Sequence, residues 1–132
     1  MVNFRETITS SGRRVLGGKD AETNDELINN SNPKETILHT SAPGSPFVNV
    51  GESPSKQDIK EAAIFCAKYS QDWRDTKQDV IVNKFQRSNM NKSTKMKAGS
   101  WEVKNQERIK VKKTDILKFE KGLRSEGIAL GE

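Results

Sequence analysis

The apolar stripe formed by Ile59, Ala62, Ala63 and Cys66 does most to limit what this chain can fold into. The four residues recur at i, i+3, i+4 and i+7, the spacing of one helical face, and Ala67, Tyr69 and Trp73 extend it. Ser55 stands ahead of the stripe as an N-cap, with Asp58 three residues on in the arrangement of a capping box. A helix that is apolar on one side must bury that side, and the runs around it supply partners of strand periodicity. Residues 79–85 (DVIVNKF) form a β-branched strand. Residues 4–9 and 13–16 read as a hairpin about Ser11-Gly12. Residues 36–40 and 47–50 give two further strands, separated by the turn Ala42-Pro43-Gly44-Ser45.

A second helix opens at residues 20–24, with acids in its first turn where the helix dipole favours them, and it carries Ala21, Leu27 and Ile28. Residues 29–33 stop it. Residues 86–99 are polar, rich in lysine and without periodicity, and read as a long flexible loop, a feature uncommon in a compact domain unless it is functional. Residues 100–103 and 109–111 read as a hairpin around Asn105. A terminal helix over 114–123 takes Thr114 as its cap, and residues 127–132 read as a frayed tail. The order ββαββαβββα gives an α+β fold: a single domain whose mostly antiparallel or mixed sheet has two or three helices packed against one side.

At 132 residues there is room for one ordinary domain. Hydrophobic residues make up 32%, against about 45–50% in typical domains, so the core must be lean. The formal net charge of +5 is unevenly spread. Residues 84–113 hold ten of the 23 Lys/Arg and only Glu102 and Glu107 of the 18 acids, so the rest of the chain, with 13 bases and 16 acids, is net acidic. Arg87, Lys92, Lys95 and Lys97 project from the loop; Lys104, Arg108, Lys110, Lys112 and Lys113 follow on the hairpin. Such an array binds phosphates through counterion release, strongly and with little sequence preference. Its plain alternative is a solvated lysine surface. Trp101 could stack a base, but it alternates with Val103 and reads first as core.

Catalytic chemistry finds little to work with. His39 is the one histidine, and Cys66, the one cysteine, lies on the apolar helix face and reads as core. A zinc cage needs three or four such ligands at close spacing, so no metal or cofactor is expected. Asp20, Asp25 and Glu26 are spaced as helix-start acids rather than as an acid/base pair. Gly17-Gly18-Lys19-Asp20 lacks the spacing of a nucleotide-hydrolase loop. Two readings of it stay open: backbone amides offered to an anion at a helix N-terminus, or a strand-to-helix turn needing positive φ. No apolar run nears the ~20 residues of a membrane span, and no signal-peptide stretch follows the start. The expected setting is cytoplasmic, with no membrane partner.

Taken in order, these segments resemble the NFACT-R domain, the RNA-binding module of the NFACT proteins, a family that includes ribosome-quality-control factors and the bacterial group called fibronectin-binding protein A. Residues 17–27 (GGKDAETNDEL) are similar to its Gly-(Arg/Lys)-Asp-x-x-x-Asn-(Asp/Glu)-x-Leu signature. Ile37-Leu38-His39, then Pro43-Gly44-Ser45 and Phe47-Val48, resemble its Trp-x-His…Pro-Gly-Ser-His-Val-Val run. Ala62-Ala63…Ala67-x-Tyr69-Ser70 matches its helix, and Asp79-Val80-x-Val82 with Lys97-x-Gly99-x-Trp101-x-Val103 its later strands. The resemblance covers residues 4–111. It departs where Ile37 or Leu38 stands for an aromatic before the histidine, and where Pro46 replaces a second histidine.

The resemblance implies RNA binding, to tRNA or ribosomal RNA, with the ribosome as a possible partner. It carries the signature positions onto Lys19, Asp20, Asn24, His39, Pro43, Gly44 and Ser45, which should cluster on one surface. With them we place Arg87, Lys92, Lys95, Lys97, Lys104 and Lys110 as the candidate RNA-binding set. The domain is assigned to residues 1–113, and residues 114–132 to a short C-terminal helix and tail. The N-terminal domain, helix-hairpin-helix units and coiled coil of full-length relatives are absent from these residues, so recruitment of charged tRNA to stalled large subunits is not expected of this chain alone. The alternatives are a component of an RNA-modifying enzyme, with Asp20 and His39 as its polar centre, and a protein-interaction adaptor whose basic loop docks an acidic partner.

Overall fold

The computed structural model describes residues 3–125; the tail expected at 127–132 lies outside them. Along the chain come β1 (Arg5–Ile8), β2 (Arg14–Gly17), α1 (Ala21–Asn29), β3 (Glu35–Thr40), β4 (Val48–Glu52), α2 (Lys56–Lys68), α3 (Gln71–Thr76) and β5 (Val80–Gln86). A 3-10 turn at Arg87–Asn89 leads to β6 (Met90–Asn91), β7 (Glu102–Val103), β8 (Glu107–Val111) and α4 (Lys113–Ser125). Six strands form one sheet in the order β1-β2-β4-β3-β5-β8, and every pairing in it is antiparallel. The fold is α+β, as the order of elements implies.

Strand alternation sends neighbours to opposite faces, and β3 shows the division. Leu38 joins Val48, Val50, Val80 and Val82 under α2, where Ala62, Ala63 and Cys66 are fully buried, while Ile37 turns the other way, to Leu27 and Ile28 of α1. The helices therefore cover both faces rather than one, because α1 docks on the side opposite α2. The small side chains of α2 let the helix lie close to the valines. Its N-terminus carries the expected capping box, Ser55 accepting from the Asp58 amide at 3.0 Å and Asp58 from the Ser55 amide at 3.1 Å.

Three further expectations from the sequence change. The stripe does not run unbroken to Trp73. Ser70 caps a separate helix, α3, its hydroxyl accepting from the Trp73 amide, which raises the number of α-helices among the described residues to four. The hairpin of 100–103 with 109–111 does not form, since β7 pairs with β6 and β8 pairs with β5. Val111 and the partly buried Ile109 gain the α2-side core by that choice. The sheet edge then ends on Glu107, Arg108 and Lys110, charges that keep an edge from pairing with another chain. The cap expected from Thr114 is supplied by Asp79, whose carboxylate accepts from the Lys113 amide at 2.8 Å, so α4 begins one residue earlier. Its Ile116 is fully buried in the same core as Trp73 and Val111.

Candidate nucleic-acid interface

The expected 86–99 loop is tethered, not loose. Asp25 on α1 projects one carboxylate oxygen that accepts from Lys92 Nζ at 3.0 Å, the Gly99 amide at 3.1 Å and Trp101 Nε1 at 2.9 Å. Lys92 Nζ also donates to the carbonyls of Lys97 and Ser100, at 3.2 and 3.1 Å. Burial alone would raise the Asp25 carboxyl pKa; the bonds from Lys92, Gly99 and Trp101 outweigh it and hold the group ionised below the usual range. Arg87 sits over the Trp101 ring at 4.9 Å and donates to the Ile28 carbonyl at 2.9 Å. Lys92 is 5.1 Å from the same ring. Two residues expected to face RNA thus build the wall that carries Gly99, Ser100 and Trp101.

That wall closes a cleft of about 340 Å³. Lys19, Asp20, Asn24, His39, Gly44 and Ser45 all line it, so six of the seven positions carried over from the resemblance meet at one place. The seventh, Pro43, lines an adjoining recess of about 450 Å³ that shares His39, Gly44, Gly99 and Ser100 with the cleft.

Several of these residues are engaged in shaping the site. Asn24 accepts from the Phe47 amide at 2.9 Å, tying α1 to the start of β4. A Cβ on Gly18 would lie 2.0 Å from the Asn24 side-chain oxygen, which is why glycine stands there. Of the two readings of Gly17-Gly18, neither holds: both glycines lie outside positive φ, and the nearby amides are occupied. The Gly18 amide donates to the Phe47 carbonyl, and those of Lys19 and Asp20 to the Thr23 hydroxyl at 2.7 and 2.9 Å. Asp20 is the N-cap of α1, accepting from the Thr23 amide, and that bond lowers its pKa. Ser45 is buried and accepts from the Thr40 amide at 3.0 Å, fixing the turn that presents Pro43 and Gly44.

His39 stands between the two hollows. Its Nδ1 lies 2.8 Å from the Thr40 carbonyl, which can only accept, so Nδ1 carries the proton and Nε2 is left as an acceptor. Its ring packs 4.4 Å from that of Phe47, and burial lowers its pKa, favouring the neutral form. The register places Asn83 on β5 opposite His39, and Arg108 on β8 opposite Asn83, one row across three strands on one face.

The remaining basic candidates divide. Lys97 is exposed beside the Gly99–Ser100 wall, and Lys104 is exposed next to Val103 of the recess. Lys95 is exposed and lines neither hollow. Lys110 is exposed at the far end of β8, 3.5 Å from Asp79. Sequence reasoning missed Arg5 and Arg74, which line the cleft beside Lys19, and Asn83 and Gln106, which line the recess. No local pattern marks Arg5 or Arg74, since β1 and α3 meet at the cleft only in the folded chain. Among the described residues no group of His, Cys, Asp and Glu is arranged to hold a metal ion.

Comparison with known proteins bears on this arrangement. The sequence matches the model of the NFACT protein RNA binding domain over residues 1–105. A search among curated proteins finds no match. Among solved structures, the C-terminal part of the fibronectin/fibrinogen-binding protein from Streptococcus suis is similar, with a TM-score of 0.77 at 22% identity. The alignment covers 85% of this chain and 46% of that one, so this chain spans about half the length of its structural relative. At that identity the likeness shows the fold, whereas the family match spans most of the chain, the Asp25-anchored wall and the His39 cleft included. The chain belongs to the family of NFACT protein RNA binding domains.

Proposed function

We propose that this domain docks tRNA or ribosomal RNA in the cytoplasm, in translation or ribosome quality control, as a binding module that makes and breaks no bonds. The observation that carries this reading is the convergence of Lys19, His39, Pro43 and Gly44 on two adjoining hollows, the cleft among them lined by the cations Arg5, Lys19 and Arg74. Arg5, Lys19 and Arg74 face a single carboxylate in the cleft, Asp20, which already caps α1. Lys97, Lys104 and Arg108 extend the positive surface past the recess. Cations on a shaped surface attract phosphates and so position a nucleic acid, while the hollows give it something to read.

A filter-binding titration with tRNA at two salt concentrations tests the proposal. Affinity should fall steeply as salt rises. The triple substitution Lys97→Gln, Lys104→Gln, Arg108→Gln should weaken binding to every RNA alike and reduce the salt slope by about 1 for each phosphate no longer neutralised. Absence of binding at low salt, or affinity indifferent to salt, would refute it.

A further inference from the structure

The two hollows differ in chemistry as well as position. The cleft is cationic, and Arg5 within it has an unmet need. Its guanidinium lies 4.3 Å over the Tyr69 ring, and its Nε is the one buried side-chain polar atom among the described residues without a hydrogen bond. A buried donor left unpaired calls for a reason, and the Arg5 side chain that carries it lines a cavity together with Lys19 and Arg74. The recess is lined by Trp101, Phe85 and Phe47 together with the amide side chains of Asn83 and Gln106. Trp101 borders the recess on one side and, on the other, the depression that Arg87 and Lys92 line. Neither cation lines the recess, where Trp101 forms part of the wall. Between the hollows stands His39, whose Nε2 accepts and has no partner among the described residues.

A phosphate, a sugar hydroxyl and a base follow one another in a nucleotide in this same order. We propose that the two hollows together seat one unpaired ribonucleotide. Its phosphate lies among Arg5, Lys19 and Arg74, its 2′-hydroxyl donates to His39 Nε2, and its base enters the recess against Trp101 with Asn83 and Gln106 at its edge. A paired base cannot enter such a recess without leaving its stack, so the site selects loops, bulges and ends over duplex. The acceptor at Nε2 selects RNA over DNA, because only the 2′-hydroxyl offers it a proton. This inference rests on the RNA-binding reading and narrows it.

The test alters the ligand first, so that no loss of folding can imitate the result. Fluorescence anisotropy compares one single-stranded oligoribonucleotide with its perfect duplex, its 2′-fluoro counterpart and an abasic counterpart. The 2′-fluoro form keeps the RNA sugar pucker but has no proton to donate. The single strand should bind about tenfold tighter than each of the other three, as expected when one well-placed interaction is removed. His39→Phe should bind the single strand and its 2′-fluoro form equally, with its melting curve showing that it folds. Equal, salt-dependent binding of strand, duplex and 2′-fluoro form would overturn the inference and leave the RNA-binding proposal standing. If nothing binds at low salt, both fall together.

Discussion

His39 illustrates how much a single bond settles. The Thr40 carbonyl fixes its tautomer and burial keeps it neutral. The folded protein therefore holds the imidazole below its ordinary pKa of 6.5. Between the lowered value and 6.5 the unfolded chain binds more protons, so stability is complete above that window and declines as pH falls through it. Thermal melts of the wild type and His39→Phe, compared from neutral pH down to about 5, should diverge, with the wild type alone losing this component. Cys66 is held in the opposite sense: burial pushes its thiol up to about 12. Its Sγ lies 3.7 Å from the Pro46 carbonyl, deep in the α2 face. A thiol-specific reagent should leave it unmodified in the native protein and label it stoichiometrically in denaturant. Labelling of the folded chain would place Cys66 outside the core. Gly18→Ala should cost about 1–3 kcal/mol in denaturant unfolding, because the added methyl displaces Asn24 and strands the Phe47 amide.

The 92–101 segment has its shape from one carboxylate at the level of secondary-structure elements. Asp25→Ala would leave Lys92, the Gly99 amide and the Trp101 indole without their common acceptor. We expect a loss of about 1–3 kcal/mol and, more tellingly, rapid amide exchange from residue 92 to 101 with the six-stranded sheet unaffected. Uniform exchange across the molecule would show instead that the tether belongs to the global fold. The sign of the acid response follows from the same hydrogen bonds. The folded Asp25 titrates below its ordinary 3.8, so its contribution is present above that pH and is lost as pH falls through the lowered value. At this scale the distribution of positive charge acquires two meanings. Arg87 and Lys92 hold Trp101 in place from behind, whereas Lys97, Lys104 and Arg108 are exposed around the recess.

For the whole molecule, the last helix decides whether the sheet is covered. Ile116 is fully buried against Trp73 and Val111, and Glu120 accepts from Trp73 Nε1 at 3.0 Å. Ile116→Ala should therefore lower stability by about 2–5 kcal/mol, measured by chemical denaturation, despite lying beyond the family match. A change within about 0.5 kcal/mol, the range of ordinary surface substitutions, would mean that the fold closes without α4.

Local patterning determined a good deal by itself. The stripe Ile59–Cys66 and the cap at Ser55 gave α2, the valine-rich run gave β5, and the alternation in residues 4–17 gave the first hairpin, because each depends on neighbours within a few residues. The signature positions from Lys19 to Ser45 could be named before their meeting place was known. Pairing of distant segments could not be read the same way. That β8 joins β5 rather than β7, that Asp79 caps α4, and that Asp25 gathers Lys92, Gly99 and Trp101 all depend on which apolar faces compete for the core. Arg5 and Arg74 entered the cleft by the same route. Sequence spacing fixes where a side chain points along its own element; only the packed sheet decides what stands opposite it, and here that is what separates a cation left exposed from one that holds a tryptophan.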